Sequence, residues 1–152
     1  MGLDMYLKGK RYLSTWNEDS EEAKISRDIA ERFPEIAGRT VNEVTCELGY
    51  WRKANAIHGW FVRNIQDGRD ECQESYVSAD KLRSLRDACQ TVLADHTKAD
   101  VLLPPTQGFF FGSSDVDQYY LDDLEATVKI IDGIVNSDML EKGWDVYYQA
   151  SW

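Results

Sequence analysis

The two ends of this chain carry the alternating pattern of β-strands that bury one face. In MGLDMYLKGKRYL the apolar residues Leu3, Met5 and Leu7 share one parity, and polar or aromatic residues stand between them. The segment WDVYYQASW near the other end alternates in the same way. Because successive side chains of a strand point to opposite faces, each segment needs apolar cover on one side only. The sequence therefore predicts a sheet that includes both segments, and we expect them to lie side by side.

Helical periodicity occupies much of the sequence between these strands. Asp19 and Glu22 have the spacing of a reciprocal helix cap, so we predict that a first helix begins there. Ser78 is predicted to cap the segment ADKLRSLRDACQTVLAD, and Ser114 or Asp115 to start a long helix after it. Apolar residues recur in these segments every three or four positions, which is typical of helices with one buried stripe.

The order of the predicted elements favours an α+β fold. VNEVTCELGYW predicts a second strand, and VLLPPTQGFFFGSS predicts a bent, uncharged loop followed by a short aromatic strand. The sequence has no Gly-rich turn after the first strand, no repeat and no linker. It therefore suits a single globular domain over residues 1–152, with a small mixed or antiparallel sheet packed with about four helices.

The net charge of −10 argues against two classes of binding partner. Nucleic-acid polymers and anionic membranes need an extended basic surface, so we expect the protein to bind neither.

Three cysteines without a C-x-x-C spacing indicate reduced thiols. The acids Asp122, Asp123 and Glu125 indicate a solvated helix face rather than a metal site. With no transmembrane run and no signal-peptide pattern, we expect a cytoplasmic protein without a cofactor.

A short segment in the first half of this acidic chain contains bases but no acid. GYWRKANAIHGWFVRN, residues 49–64, is also rich in aromatic and amide side chains. Placed on a helix from Tyr50 to Ile65, it has one apolar stripe and two polar flanks. One interpretation is that the polar side chains solvate this helix while the tryptophans pack against its neighbours. The other is that the segment carries a ligand site formed by seven residues: Trp51, Arg52, Lys53, Asn55, His58, Trp60 and Arg63.

The chemistry of these side chains suits a small anionic ligand with a flat ring. A tryptophan ring can stack on a base or sugar, and arginine and lysine neutralise phosphate or carboxylate. Asn55 offers a donor and an acceptor to a base edge. His58 can donate to an anion or act as a general base. An acid-free segment within an acidic chain favours the ligand-site interpretation.

The segment TQGFFFGSS is the second candidate for the site. Gly108 and Gly112 would let the backbone approach a ligand, and we add Thr106, Phe110 and Ser113 to the predicted ligand-binding residues. The alternative is that helices cover both faces of this aromatic strand. The segment lacks the G-K-[ST] of a phosphate-binding loop, and no spacing in the chain defines a catalytic group.

Four blocks of the sequence are distinctive: MGLDMYL, GYWRKANAIHGWFV, LPPTQGFFFGSSDVDQYYLDDLE and DVYYQASW. They cover about half of the chain and resemble a family of small phage- and prophage-encoded proteins. The resemblance implies a binding protein in the host cytoplasm. One such role is counter-defence, in which a phage protein sequesters the nucleotide second messengers of bacterial immunity. Another is to clamp a host protein, and no catalytic residue comes with the resemblance.

Three hypotheses for the function follow. The first is a non-enzymatic protein that holds, or sequesters, a small anionic nucleotide-like ligand between residues 51–64 and 106–114. The second is an acidic interaction module that inhibits a host protein through residues 115–125. The third is a nucleotide phosphodiesterase or hydrolase that uses His58. A homodimer or larger homo-oligomer is compatible with each hypothesis, and so is a pocket between subunits.

Overall fold

The two strands predicted at the ends of the chain form the centre of the sheet. A computed structural model describes residues 2–108 and 111–152. Within these ranges, four strands pair antiparallel: β1 (Asp4–Tyr12), β2 (Glu43–Arg52), β3 (Ser75–Val77) and β4 (Trp144–Ser151). Their order across the sheet is β2-β1-β4-β3. The prediction of a single α+β domain is confirmed, and so is the pairing of the two terminal strands.

Five helices connect these strands in the described part of the chain: α1 (Glu21–Glu31), α2 (Asn55–Asn64), α3 (Ala79–Ala94), α4 (Ala99–Leu102) and α5 (Gln118–Val135). Short 3-10 turns follow α1 at Pro34–Ile36 and precede α4 at His96–Lys98. None of these helices is long and apolar enough to cross a membrane.

Helices cover one face of the sheet and form the core with it. Met5 and Leu7 are fully buried on this face, next to Tyr148 of β4. α3 and α5 supply a stripe of buried side chains at helical spacing: Leu82, Leu85, Cys89, Val92, Leu124 and Ile131. The inward faces predicted for these two helices and for β1 are therefore confirmed.

A β-bulge in β2 reverses which of its alternate side chains face the core. Leu48 has no partner on β1, because the pairing shifts by one residue between Leu7 and Lys8. Side chains of one parity face the core before the bulge, and side chains of the other parity face it afterwards. Glu47 is therefore exposed while Trp51, of the same parity, is buried.

Two helix starts differ from their predicted positions by one or a few residues. Ser20 caps α1 instead of the adjacent Asp19, because its hydroxyl accepts a backbone N–H of the first turn. Asp117 caps α5, a few residues later than predicted. Ser78 caps α3 as predicted. Neighbouring Asp and Ser residues offer equivalent acceptors, so the sequence alone does not choose between them.

The helix predicted over residues 50–65 was wrong at its start. Trp51 belongs to β2, where it pairs with Met5 and packs in the core. Lys53 then turns the chain in the left-handed conformation, with φ of 58°, and α2 begins at Asn55. Over these few residues the apolar positions fitted a helical stripe and a strand face equally well.

The aromatic strand predicted over GFFFG falls partly outside the described residues, which exclude Phe109 and Phe110. Phe111 lies in a bend, and its N–H donates to the Gly108 carbonyl at 3.1 Å. Neither Gly108 nor Phe111 belongs to the sheet, so the described part of this segment is a connection between α4 and α5.

Two helical glycines should respond oppositely to alanine. A Cβ at Gly59 would lie 2.1 Å from Thr106 Oγ1, so Gly59→Ala should push the 104–108 segment off α2. We expect a loss of about 1–3 kcal/mol of unfolding free energy. A Cβ at Gly133 of α5 meets no described atom within 4 Å, so Gly133→Ala should stabilise by about 0.5–1 kcal/mol.

Denaturant unfolding of both variants checks this prediction. The additional change Thr106→Ala removes the clashing hydroxyl, and it should recover most of the stability lost in Gly59→Ala. A Gly59→Ala variant as stable as Gly133→Ala would contradict the close contact between α2 and the 104–108 segment.

Candidate functional site

A buried histidine joins α2 to two distant parts of the chain. His58 is 0% exposed. Its Nε2 lies 2.8 Å from Asp70 Oδ2, and its Nδ1 lies 2.7 Å from the Tyr148 hydroxyl. Because a carboxylate only accepts, we place the shared proton on Nε2, and Nδ1 then accepts from the Tyr148 O–H. Asp70 Oδ1 also accepts from the Trp152 indole N–H at 3.0 Å.

These contacts make His58 a structural residue. Both ring nitrogens are occupied, and the Phe111 ring meets the imidazole edge to face, with centroids 5.1 Å apart. Burial raises the pKa of Tyr148 well above 10, with smaller contributions from Asp70 and Cys72, so its hydroxyl stays protonated. The environment of His58 therefore does not support the predicted roles in ligand contact or general-base catalysis.

Asn55 holds Thr106, Phe111 and Ser113 against the start of α2. Its side-chain N–H groups donate to the carbonyls of Phe111 at 3.1 Å and Ser113 at 2.7 Å. Its side-chain oxygen accepts from the Thr106 N–H at 3.0 Å. Asn55 thus spends both its donors and an acceptor on backbone, and the geometry favours a positioning role over the predicted contact with a base edge.

Neither predicted tryptophan presents a ring face to solvent. Trp51 is 3% exposed, and its indole N–H donates to Thr127 Oγ1 of α5 at 2.9 Å. Trp60 is 6% exposed and packs edge to face on Phe61. Burial of both rings in the core does not support the predicted stacking on a ligand.

A cavity of about 310 Å³ lies in front of the N-terminus of α2. Residues 52–57, the segment 112–117 and the first turns of α5 line it. Four of the ten predicted ligand-binding residues meet there: Arg52, Lys53, Asn55 and Ser113. Five others lie outside its lining: Trp51, His58, Trp60, Arg63 and Thr106. Phe110 lies outside the described residues.

One wall of the cavity is positive. Arg52 and Lys53 are exposed, and no ion pair between described residues involves either of them. Ala54 offers no side-chain cap to α2. The N–H groups of Ala56 and Ile57 take part in no hydrogen bond between described residues. Free N–H groups at a helix N-terminus attract anions, and the two cations add to that potential.

A second part of the lining, called the acidic wall below, contains carboxylates and an exposed ring. Asp115, Asp117 and Asp123 line it with Tyr119, which is 81% exposed. Burial, with the nearby carboxylates of Asp122 and Asp117, raises the pKa of Asp123 from 3.8 to about 6. Cations from the β2–α2 connection and carboxylates from the α5 region therefore line one space.

Several residues of this arrangement escaped the sequence prediction. The acids of the α5 region were interpreted as a solvated face, although their density next to the uncharged loop could have indicated a second wall. Tyr119 follows the helix cap Asp117 closely, but exposure cannot be predicted from that position. The partners of His58 lie on distant segments, and only the fold brings them together.

No family model, curated protein or solved structure matches this chain. The resemblance to phage-encoded proteins therefore stays a prediction.

Removing the hydroxyl that His58 accepts from should destabilise the fold. Tyr148→Phe keeps the ring, which stacks on Phe61 with centroids 3.8 Å apart, but leaves Nδ1 of a buried imidazole without a donor. We expect a loss of about 1–3 kcal/mol in denaturant unfolding. Tyr147→Phe is the matched control, because its hydroxyl has no hydrogen bond to described residues. Equal effects of the two changes would contradict the assigned bond.

The ionisation of Asp123 should reduce stability above acidic pH. Its folded pKa of about 6 exceeds the ordinary 3.8, so the unfolded chain releases this proton first as pH rises. The contribution of protonated Asp123 to the unfolding free energy is therefore lost between about pH 4 and pH 6, and it stays lost at higher pH. Asp123→Asn removes this loss, so its Tm should exceed the wild-type value at pH 7.5 by more than at pH 4. Glu125→Gln, at an exposed position of α5, is the matched control for the loss of one carboxylate from this helix.

Proposed function

We propose that the protein binds a small anionic, nucleotide-like ligand in the cavity before α2 and holds it without chemical change. The observation that supports this most directly is a pair of cations, Arg52 and Lys53, without ion pairs among the described residues, beside backbone N–H groups that make no hydrogen bond within the same residues. The volume of about 310 Å³ is at the small end of ligand pockets. It suits a mononucleotide-sized molecule better than a large dinucleotide.

The anionic end of the ligand would meet the positive wall. The guanidinium of Arg52 can hold a phosphate through two hydrogen bonds, and the Lys53 ammonium adds a point charge. Ala56 and Ile57 N–H groups offer donors at the helix N-terminus. Lys53 sits at the left-handed turn between β2 and α2, so the backbone fixes where its side chain starts.

The other end of the ligand would meet the acidic wall. Carboxylates accept hydrogen bonds from ribose hydroxyls or an exocyclic amine, and they repel a second phosphate. The exposed ring of Tyr119 offers the stacking face that Trp51 and Trp60 do not. A ligand with an anionic end and a donor-bearing ring is therefore favoured over inorganic phosphate.

The proposal favours binding over catalysis. The described lining of the cavity contains no histidine or cysteine, and the fully buried His58 does not reach it. Asp123 does have the pKa of an acid–base group, so recovery of the ligand has to be part of the test. Intact ligand after long incubation supports a binding protein, and converted ligand supports the hydrolase alternative.

A second candidate function is docking on a basic protein surface. Tyr119 and Val116 are exposed among the acids of the α5 start, and such a mixed aromatic and acidic patch is a suitable contact surface. This alternative predicts association that weakens as salt is raised.

Binding can be tested by thermal shift and calorimetry with nucleoside monophosphates, cyclic nucleotides, NAD and cyclic ADP-ribose isomers. A ligand at a hundred times its Kd should add about 2.7 kcal/mol to the unfolding free energy. For a protein of this size, that is a rise in Tm of roughly 5–10 °C. Arg52→Gln with Lys53→Gln should weaken binding about tenfold to a hundredfold, because charged hydrogen bonds are lost.

The double change Lys24→Gln with Arg32→Gln is the matched control. It removes one lysine from an exposed position of α1 and one arginine from the exposed C-cap that follows this helix, both outside the lining of the cavity, and it should leave Kd unchanged. Equal losses in both double variants would show that only net charge matters. A screen without any Tm shift would overturn the proposal and favour the docking alternative.

A further inference from the structure

The outer side of β2 pairs with no strand in the described part of the chain. β2 has ten residues at one edge of the sheet, and β1 occupies only one of its sides. Two bonds fix which groups point inward: the Lys53 N–H donates to the Leu3 carbonyl at 2.7 Å, and the Leu13 N–H donates to the Asn42 carbonyl at 2.9 Å. Bonding alternates along an antiparallel pair, so five residues direct their N–H and C=O groups outward: Glu43, Thr45, Glu47, Tyr50 and Arg52.

These outward groups have no partner within the chain as far as it is described. No hydrogen bond between residues 2–108 and 111–152 reaches the backbone of the five residues. All five are also exposed. A long open edge of this kind is a template for another strand, and globular proteins commonly cover or interrupt such edges.

The bulge at Leu48 decides which registers would let β2 pair with itself. Consider two identical regular strands that pair antiparallel. Their outward backbone groups meet, and side chains of the same sheet face lie opposite one another, only where the residue numbers of each opposed pair add to an even sum. Because of the bulge, the outward residues of β2 have odd numbers as far as Glu47 and even numbers after it. When a residue before the bulge lies opposite one after it, the outward groups therefore meet where the two residue numbers add to an odd sum. The register that uses all ten residues has a sum of 95 and places the two bulges opposite each other.

The charges of β2 are complementary in this same register. Glu43 at the start of the strand would lie opposite Arg52 at its end, and Thr45 would lie opposite Tyr50. Two-fold symmetry makes each of these contacts twice. Opposite charges at directly opposed positions stabilise a strand pair, whereas like charges there destabilise it.

We propose that β2 pairs antiparallel with β2 of a second copy of the chain and joins two four-stranded sheets into one. In this dimer Glu43 faces the partner's Arg52, and Thr45 faces the partner's Tyr50. The four regular outward pairs supply about eight backbone hydrogen bonds. The Glu47 side chains of the two copies approach near the two-fold axis and each chain carries a charge of −10, so association is weak, with Kd on the order of 1–100 μM.

Sedimentation velocity and light scattering without ligand, at about 150 mM salt, test the dimer. The mass should rise from 17.5 kDa toward twice that value with protein concentration. Thr45→Pro deletes an N–H that points away from β1, so the monomer should fold while dimerisation is lost. Thr45→Val is the matched control, since it keeps the N–H and the branched shape and should still dimerise. A monomer at every concentration, or a Thr45→Pro variant that still dimerises, would overturn the proposal.

Charge reversal tests the register and does not depend on how well the proline variant folds. Glu43→Arg and Arg52→Glu should each weaken dimerisation at least tenfold, because each puts like charges opposite one another. The double variant exchanges the two charges and should restore dimerisation to near the wild-type Kd. Failure of the double variant to recover, with near-UV circular dichroism showing that it is folded, would overturn the proposed pairing. Arg52 also borders the cavity, so mass rather than ligand affinity is the readout.

Discussion

The hydrogen bonds of His58 are the interaction on which the arrangement around the cavity depends. A buried imidazole is costly unless both of its nitrogens are bonded, and here the partners are Asp70 and Tyr148. These partners come from a connecting segment and from the central strand β4. The two bonds therefore tie α2 to both of these segments and favour the packing in which both are made.

The position of α2 in turn shapes the candidate site. Asn55 starts this helix and fixes Thr106, Phe111 and Ser113 through three hydrogen bonds to their backbone. The cations Arg52 and Lys53 directly precede the helix on a strand and a tight turn, so they start from rigid backbone. A site built in this way loses little conformational freedom on binding, which favours affinity in a small cavity.

The sequence predicted the fold better than the site, for physical reasons. The strand β1 with Met5 and Leu7 and the buried stripe of α3 were predictable. Burial of one face imposes a period of two residues on a strand and of about four residues on a helix. Trp51 fell where the predicted second strand and the predicted helix overlap, because a β-bulge breaks the period that would have marked the strand as far as Arg52. An aromatic and basic composition also cannot tell whether Trp60 points inward or outward. The His58 contacts and the Tyr119 wall depend on residues far apart in sequence.

The pairing of β1 with β4 has a consequence for synthesis. Each contact between these strands joins residues more than a hundred positions apart, from Arg11 with Trp144 to Asp4 with Ser151. On the ribosome, β1 can pair with β2 early, but its second side stays open until residues 144–151 have been made. At about 5–20 residues per second, a strand with apolar Met5 and Leu7 waits many seconds for its neighbour. The nascent chain is thus exposed to chaperones and to misassociation at the strand that later becomes its centre.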